Sequence, residues 1–145
     1  MIRKINLTDA NAICQINTED LGYAFPIEQT KHQIERIIND TEHYYLIGYE
    51  DSSTKKIVGY LHAEVYRTTY FETLLNVLGL AVLGDYQRQG IGKQLMLELE
   101  HEAKLRNITA IRLNSGEERK EAHLFYESLG YISKKNQKQF MKNIE

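Results

Sequence analysis

The most apolar stretch of the chain, TLLNVLGLAVL (73–83), leads directly into a glycine-bearing turn and then into an amphipathic segment. A continuous apolar run of this length, rich in leucine and valine, is typical of a strand buried on both faces of a sheet. In the segment that follows, Leu95, Leu99 and Ala103 recur on one side of a helix predicted over 91–106. This order predicts a central strand, a tight turn and a helix packed on the same sheet.

Weaker patterns on both sides of this unit predict the remaining elements. Thr8 or Asp9 is placed to cap a first, short helix, and DSSTK joins two alternating segments as a hairpin. Strands are predicted over 2–6, 43–50, 56–67 and 108–114, further helices over 28–39 and 117–130, and a closing strand pair in the tail. We therefore expect an α+β fold, with a mixed, mostly antiparallel sheet flanked by helices, in a single domain over 1–145.

Composition and charge narrow the functional classes. The formal net charge of −2 and the lack of a basic stripe argue against binding to nucleic acid or to an anionic membrane. No stretch approaches the ~20 apolar residues of a membrane span, and the start lacks an apolar signal region. The one cysteine, Cys14, cannot form an internal disulfide, so a cytoplasmic location is expected. No Cys/His cluster has the spacing of metal ligands, and no metal is predicted.

The turn GDYQRQGIGKQL (84–95) has the features of an anion site. Gly90 and Gly92 stand at the start of the predicted helix, where free N–H groups and the helix dipole favour negative charge. Glycine allows an oxygen to approach the backbone closely, and Arg88 and Lys93 add positive charge. From the glycines alone, a plain strand-to-helix turn remains the alternative.

Two common phosphate motifs do not fit this turn. A P-loop needs glycine where Gln87 stands and serine or threonine where Gln94 stands. The dinucleotide fingerprint needs a third glycine where Leu95 stands, and its acidic ribose partner is not evident. Neither motif fits, so neither identifies an anion for this turn.

Two motifs together resemble the GNAT superfamily of N-acetyltransferases. The first is Gln87-x-x-Gly90-x-Gly92, which follows an LAV segment, and the second is AHLFYESLGY (122–131), about 35 residues further along. The resemblance covers essentially the whole chain and implies a GNAT-like acyl-CoA N-acyltransferase fold with splayed central strands. It also implies acetyl-CoA as acetyl donor and direct attack by a primary amine in a ternary complex.

The resemblance assigns residues to the cofactor and to the leaving group. Tyr126 matches the tyrosine that protonates the departing thiolate in many members of the family, although a core tyrosine on an amphipathic helix is the alternative. The amide of one LAV residue usually faces the thioester oxygen. The residues implied to bind acetyl-CoA are Leu80, Ala81, Val82, Gln87, Arg88, Gln89, Gly90, Ile91, Gly92, Lys93, Asn114, Arg119, Ala122 and Phe125.

The general base is not identified by the motifs. Many members of the family place a glutamate early on the LAV strand, but here Asn76 stands near that place and cannot accept a proton. Glu64 on the preceding strand and Glu72 just ahead are the candidates, directly or through water. His62 alternates onto the same face as Glu64 and could share the role. A solvated or ion-paired glutamate is the alternative for each.

The expected acceptor is a small amine. The segments that form acceptor pockets in this family carry many aromatic side chains, and Glu19, Asp20, Glu64 and Glu72 suit a cation. The aromatic and apolar candidates are Leu21, Tyr23, Phe25, Tyr44, Tyr45, Tyr66, Tyr70 and Phe71. Two alternatives stay open: an acetyltransferase acting on protein amines, and a non-catalytic acyl-CoA-binding module with the same fold. A homodimer is possible in such a family, but no segment identifies its interface.

Overall fold

The computed structural model describes residues 1–145, which divide into two compact units, 1–113 and 114–145. Every strand and helix predicted for the first unit is present, with bounds that differ by one to a few residues. They are β1 (Ile2–Lys4), α1 (Ala10–Ile16), α2 (Ile27–Ile38), β2 (Tyr44–Glu50), β3 (Ile57–Tyr66), β4 (Leu74–Val82), α3 (Ile91–Leu105) and β5 (Ile111–Leu113). The assignment of 1–145 to one domain stays a prediction.

The five strands form one sheet in the order β1-β2-β3-β4-β5. The first four pair antiparallel, whereas β5 pairs parallel with β4. A parallel neighbour requires a crossover connection, which α3 supplies. The predicted mixed, mostly antiparallel sheet is confirmed.

The sheet has helices on both faces. Successive residues of β3 point to opposite faces, and they contact different helices. Tyr60 belongs to the same buried cluster as Ile13 and Ile16 of α1. A Cβ on the neighbouring Gly59 would lie 3.3 Å from the Ile91 side chain, so the opposite face carries α3. The predicted inward stripe of α3 is confirmed as buried, namely Leu95, Leu99 and Ala103.

The start of the first helix differs from the prediction. Asn6 caps a 3-10 turn over Leu7–Asp9, and this turn runs on into α1. The Asp9 carboxylate accepts from the Asn6 backbone N–H at 2.9 Å and from Arg3 Nη1 at 2.8 Å. The Asp9 side chain is hydrogen-bonded to Arg3 of β1 and to the backbone of Asn6, and it therefore does not cap α1.

β4 and β5 separate soon after they meet. Their pairing covers three residues of each strand and ends at Val77 with Leu113. On the other edge of β4, the register with β3 skips Leu78, between the pairs made by His62 and Ala63. An extra residue of this kind is a β-bulge, which bends its strand. The splayed central strands that the resemblance implies are thereby confirmed.

The second unit contains one helix, α4, which spans Lys120–Ser128 and is shorter than the predicted 117–130. The chain leaves it through Gly130, whose φ of +95° lies in the region that glycine favours. Residues 131–145 form no helix or strand, so the predicted closing strand pair is wrong. The stretch SKKNQKQ in this tail has no apolar residue with which to build the buried face of a strand.

None of the helices combines the length and the hydropathy that a membrane span requires. No group of three or more His, Cys, Asp or Glu side chains is arranged to hold a metal ion.

Candidate active site

The turn between β4 and α3 presents a row of unsatisfied backbone donors. Arg88 and Gly90 have φ angles of +64° and +81°, and they direct the chain into the helix. The N–H of Gln94 donates to the Gly90 carbonyl at 3.0 Å, whereas the N–H groups from Arg88 to Lys93 have no partner in the protein. The helix dipole adds partial positive charge at the same place. This turn therefore has the geometry and charge to bind an anion.

Two side chains attach the turn to the rest of the unit. The Tyr86 hydroxyl donates to the Asp51 carboxylate in the β2–β3 hairpin at 2.7 Å. Gln87 Nε2 donates to the Val82 carbonyl at 2.8 Å and to Asp20 Oδ1 at 2.9 Å. The amide of Gln87 is thus engaged within the protein, and the backbone of the residues after it is what faces a ligand.

The last residues of β4 offer open backbone beside this turn. The Leu83 N–H donates to the Val58 carbonyl at 2.9 Å, so at Leu83 the backbone groups face β3. Because neighbouring residues alternate, the backbone groups of Val82 and Leu80 face the other side, which β5 has left. The Val82 carbonyl accepts from Gln87 Nε2, so the open groups on this side are the Val82 N–H and the backbone of Leu80. The Ala81 side chain is only 2% exposed and packs in the core. An extended ligand can therefore pair with this edge as an added strand.

A row of polar side chains crosses the sheet just before β4 opens. Glu64, Asn76 and Arg112 are successive cross-strand partners on β3, β4 and β5. Asn76 Nδ2 donates to Glu64 Oε2 at 2.7 Å, and Asn76 Oδ1 accepts from Arg112 Nη1 at 3.0 Å. Arg112 also lies over the Tyr66 ring, 4.9 Å from its centre. Glu64, one of the two predicted bases, is thus oriented on the face of the splayed sheet.

The other predicted base, Glu72, is exposed in the segment between β3 and β4 and makes no side-chain hydrogen bond or ion pair. The same segment carries aromatic candidates for the acceptor pocket. Phe71 stacks on Tyr66 with the ring centres 5.9 Å apart and meets Tyr70 edge-on at 5.0 Å. Glu72 is therefore next to an aromatic group, but nothing in the protein orients its carboxylate.

Tyr45 does not belong with the acceptor residues. Tyr44 pairs with Glu64 across the strands, so the next residue, Tyr45, points to the opposite face. There Arg106, just after α3, lies 5.9 Å from the centre of the Tyr45 ring. The prediction that Tyr45 lines the acceptor pocket is wrong because alternation places it in the core beside α3.

His62 is half-buried on the same face as Glu64. Its ring centre lies 5.5 Å from that of Tyr44, and its Nε2 is buried without a hydrogen-bond partner. Burial lowers the pKa of His62 from 6.5 to about 4, although the nearby Glu64 charge acts in the opposite direction. His62 is therefore neutral at physiological pH and does not carry a titration near pH 6 to 7.

This half-buried histidine predicts an acid-dependent loss of stability. The unfolded chain binds a proton on His62 below pH 6.5 and the folded chain only below about pH 4, so stability falls as pH drops through that window. This difference between the pKa values of His62 in the unfolded and the folded chain corresponds to about 3 kcal/mol in the free energy of unfolding. Urea unfolding at pH 7 and pH 4 should show a smaller loss for His62→Leu than for the natural chain. Equal losses would contradict the buried neutral state.

The second unit carries the residues of the downstream motif. The Tyr126 ring contacts those of Phe125 and Tyr131, with centres 5.2 Å and 6.2 Å away. Burial raises the pKa of Tyr126, with Arg119 opposing the change. The phenol is therefore protonated at neutral pH and able to donate its proton.

The remaining predicted ligands of this unit differ in exposure. Asn114 and Arg119 are exposed, whereas Ala122 and Phe125 are half-buried. Arg119 lies at the start of α4, and its carbonyl accepts from the His123 N–H at 3.1 Å. Their contacts with a cofactor stay predictions.

Comparison with known proteins decides the family. A family model described as the acetyltransferase (GNAT) family matches residues 10–131. This chain belongs to the GNAT family. It is therefore an acyltransferase of the N-acetyltransferase type, and GNAT acetyltransferases take the acetyl group from acetyl-CoA.

One curated relative and two solved structures are similar to this chain. The [ribosomal protein bS18]-alanine N-acetyltransferase of Escherichia coli (strain K12) is 29% identical over 124 residues, which are 83% of this chain and 80% of that enzyme. A transcriptional regulator from Bacillus halodurans shares the fold with a TM-score of 0.87 at 24% identity, over 98% of this chain and 99% of that chain. AAC(6')-Iy, solved with the bisubstrate analogue CoA-S-monomethyl-acetylneamine, has a TM-score of 0.83 at 15% identity, over 99% and 98%.

Sequence analysis missed several side chains that shape this GNAT site. Asp51 holds Tyr86 of the turn, and Arg112 holds the Asn76 amide that orients Glu64. The alternating pattern indicates which residues of one strand share a face, but it does not give the register between strands. Knowledge of the pairing of Glu64 with Asn76 would have brought these two side chains together, but the sequence does not provide that register.

Proposed function

We propose that this chain transfers the acetyl group of acetyl-CoA directly to a primary amine, with the pyrophosphate bound at the turn. The observation that carries the proposal is the row of open N–H groups from Arg88 to Lys93, which adjoins the free edge of β4. The N–H groups can donate hydrogen bonds to an anion such as the pyrophosphate. The amide groups of the pantetheine arm can pair with the free edge of β4 as an added strand does. The exposed side chains of Arg88 and Lys93 add positive charge for the phosphates.

We propose as the binding set the residues that the two GNAT motifs imply. In the first unit it comprises the edge and the turn, and in the second unit the residues of the downstream motif. The set is Leu80, Ala81, Val82, Gln87, Arg88, Gln89, Gly90, Ile91, Gly92, Lys93, Asn114, Arg119, Ala122 and Phe125. When bound, acetyl-CoA supplies an activated acetyl group as a thioester.

We assign the proton transfers to two side chains. An alkylammonium group has a pKa near 10.4, so it must lose a proton before its nitrogen can attack. Glu64 is the proposed acceptor of that proton, directly or through a water molecule. Tyr126 is the proposed donor to the departing thiolate, in keeping with its protonated state. A backbone N–H on the open edge, at Leu80 or Val82, stabilises the negative charge on the thioester oxygen.

A small amine is the acceptor that we favour. Glu64 pairs with Tyr44 across the strands and shares one face of β3 with Tyr66, on which Phe71 stacks. A carboxylate beside aromatic faces suits a cationic amine. The name of the Escherichia coli relative favours a second candidate, because that enzyme acetylates an alanine of a ribosomal protein. A peptide amine is therefore the alternative acceptor.

The experiment that tests this function mixes the purified protein with acetyl-CoA and a panel of amines while free thiol is followed. The panel contains polyamines, amino sugars, amino-acid derivatives and short peptides that begin with alanine. We expect thiol release that depends on the amine and saturates with its concentration. Binding of acetyl-CoA without amine-dependent release would favour the non-catalytic module instead.

A glycine substitution tests the pyrophosphate turn. Ala in place of Gly90 is expected to weaken acetyl-CoA binding about tenfold, because the positive φ strains alanine and moves the N–H groups off the phosphate. The measurement is the Kd for acetyl-CoA by calorimetry. Gly22→Ala is the matched control, since Gly22 has a φ of +79° and equally open surroundings. Equal Kd values for both variants and the natural chain would contradict the assignment of this turn.

A further inference from the structure

Asn76 makes two hydrogen bonds of opposite polarity on the sheet face. Its Nδ2 donates to Glu64 Oε2 at 2.7 Å, and its Oδ1 accepts from Arg112 Nη1 at 3.0 Å. A carboxylate only accepts and a guanidinium only donates, so these two partners fix which way the amide points. Asn76 is 8% exposed, and its side chain has little freedom to turn away.

The three side chains connect the strands one residue before β4 and β5 separate. Val77, the residue after Asn76, makes the last pair between β4 and β5. The β-bulge at Leu78 follows at once, and beyond it lies the open edge of β4. Asn76, which orients the Glu64 carboxylate, therefore lies directly before the point at which β4 and β5 separate.

We propose that Asn76 is a positioning residue, which relays the charge of Arg112 to Glu64 and fixes the carboxylate in the orientation that accepts the amine proton. This inference rests on the proposed function, since it presumes that Glu64 is the base. Asn76 itself neither gives nor takes a proton. Its donor keeps one oxygen of Glu64 engaged, which leaves the other oxygen for the acceptor.

Other titratable or charged groups face Glu64 from the neighbouring elements. They are Tyr44 on β2, His62 and Tyr66 on β3, and Arg112 on β5. His62 does not titrate near neutrality because burial lowers its pKa to about 4. A carboxylate placed at position 76 would be a new like charge beside Glu64 and would oppose its ionisation.

The first test replaces Asn76 with aspartate, which still accepts from Arg112 but cannot donate to Glu64. The Glu64 carboxyl carbon is followed by NMR during a pH titration, with Glu64→Gln used for the assignment. We expect the midpoint for Glu64 to rise by about one pH unit in Asn76→Asp. An unchanged midpoint in a folded variant would overturn the proposal. This readout does not depend on activity, so it holds even where the proposed function fails.

The second test uses kinetics. Asn76→Ala is expected to lower kcat about tenfold or more with an unchanged KM for acetyl-CoA, because the carboxylate is no longer oriented. Asn76→Asp should move the acidic limb of the kcat profile to higher pH, and Asn76→Gln, which retains both a donor and an acceptor, should recover part of kcat. A merely structural role would lower the melting temperature and leave the kcat of the folded variants at its natural value. That result would overturn the proposal.

Discussion

Glu64→Gln is expected to lower kcat by about a hundredfold to ten-thousandfold, the usual contribution of a general base. The substitution preserves the shape of the side chain and its ability to accept from Asn76. It removes the group that takes the proton of the amine. Because Glu64 lies on the sheet face and not in the turn, the Kd for acetyl-CoA should stay the same.

Steady-state kinetics over a range of pH checks this prediction. Since deprotonated amine becomes more abundant as pH rises, the defect of Glu64→Gln should shrink at high pH. Glu72→Gln provides the comparison, because Glu72 is the exposed alternative. A large loss of kcat in Glu72→Gln with near-natural activity in Glu64→Gln would reverse the assignment. Full activity in both would point to water alone as the proton acceptor.

Tyr126→Phe is expected to lower kcat by about a hundredfold at neutral pH without abolishing it. The ring and its contacts with Phe125 and Tyr131 remain, and only the phenolic proton is lost. A thiol has a pKa near 8.5, so the thiolate leaves fairly well without help, and some activity should persist. The loss should be smaller for an acyl donor whose leaving thiol has a lower pKa.

The control for Tyr126→Phe is the same change at a neighbouring ring. Tyr131→Phe removes a phenolic hydroxyl from a ring that contacts Tyr126 and lies outside the proposed binding set. A melting curve for each variant separates stability from catalysis. If Tyr126→Phe retains the natural kcat while both variants stay folded, Tyr126 is a packing residue and the leaving thiolate takes its proton from water.

The parts of the fold that follow from local patterns could be predicted from the sequence. The run at 73–83 and the stripe of Leu95, Leu99 and Ala103 carry their own periodicity, and both elements are present. The strand pair predicted for the tail after Tyr131 is wrong, because the polar composition of this segment provides no alternating apolar face.

The candidate site could be predicted only where one segment contains it. The turn from Gln87 to Lys93 is contiguous, so its open N–H groups follow from the glycines and the helix start. The hydrogen bonds that join Glu64, Asn76 and Arg112 depend on the register of three strands. A periodic pattern within one strand does not contain that register. Tyr45 was misplaced for a related reason, since its face is known only once Tyr44 is paired with Glu64.

The most direct test of the account follows a labelled acetyl group from donor to acceptor. The protein is incubated with acetyl-CoA labelled in the acetyl carbon and with the best amine of the panel, and both products and protein are analysed by mass spectrometry. We predict one labelled acetyl group on the amine for each free thiol, and no label on the protein. Label held on Cys14 or another side chain before transfer, or thiol release without an acetylated amine, would contradict direct transfer by this site.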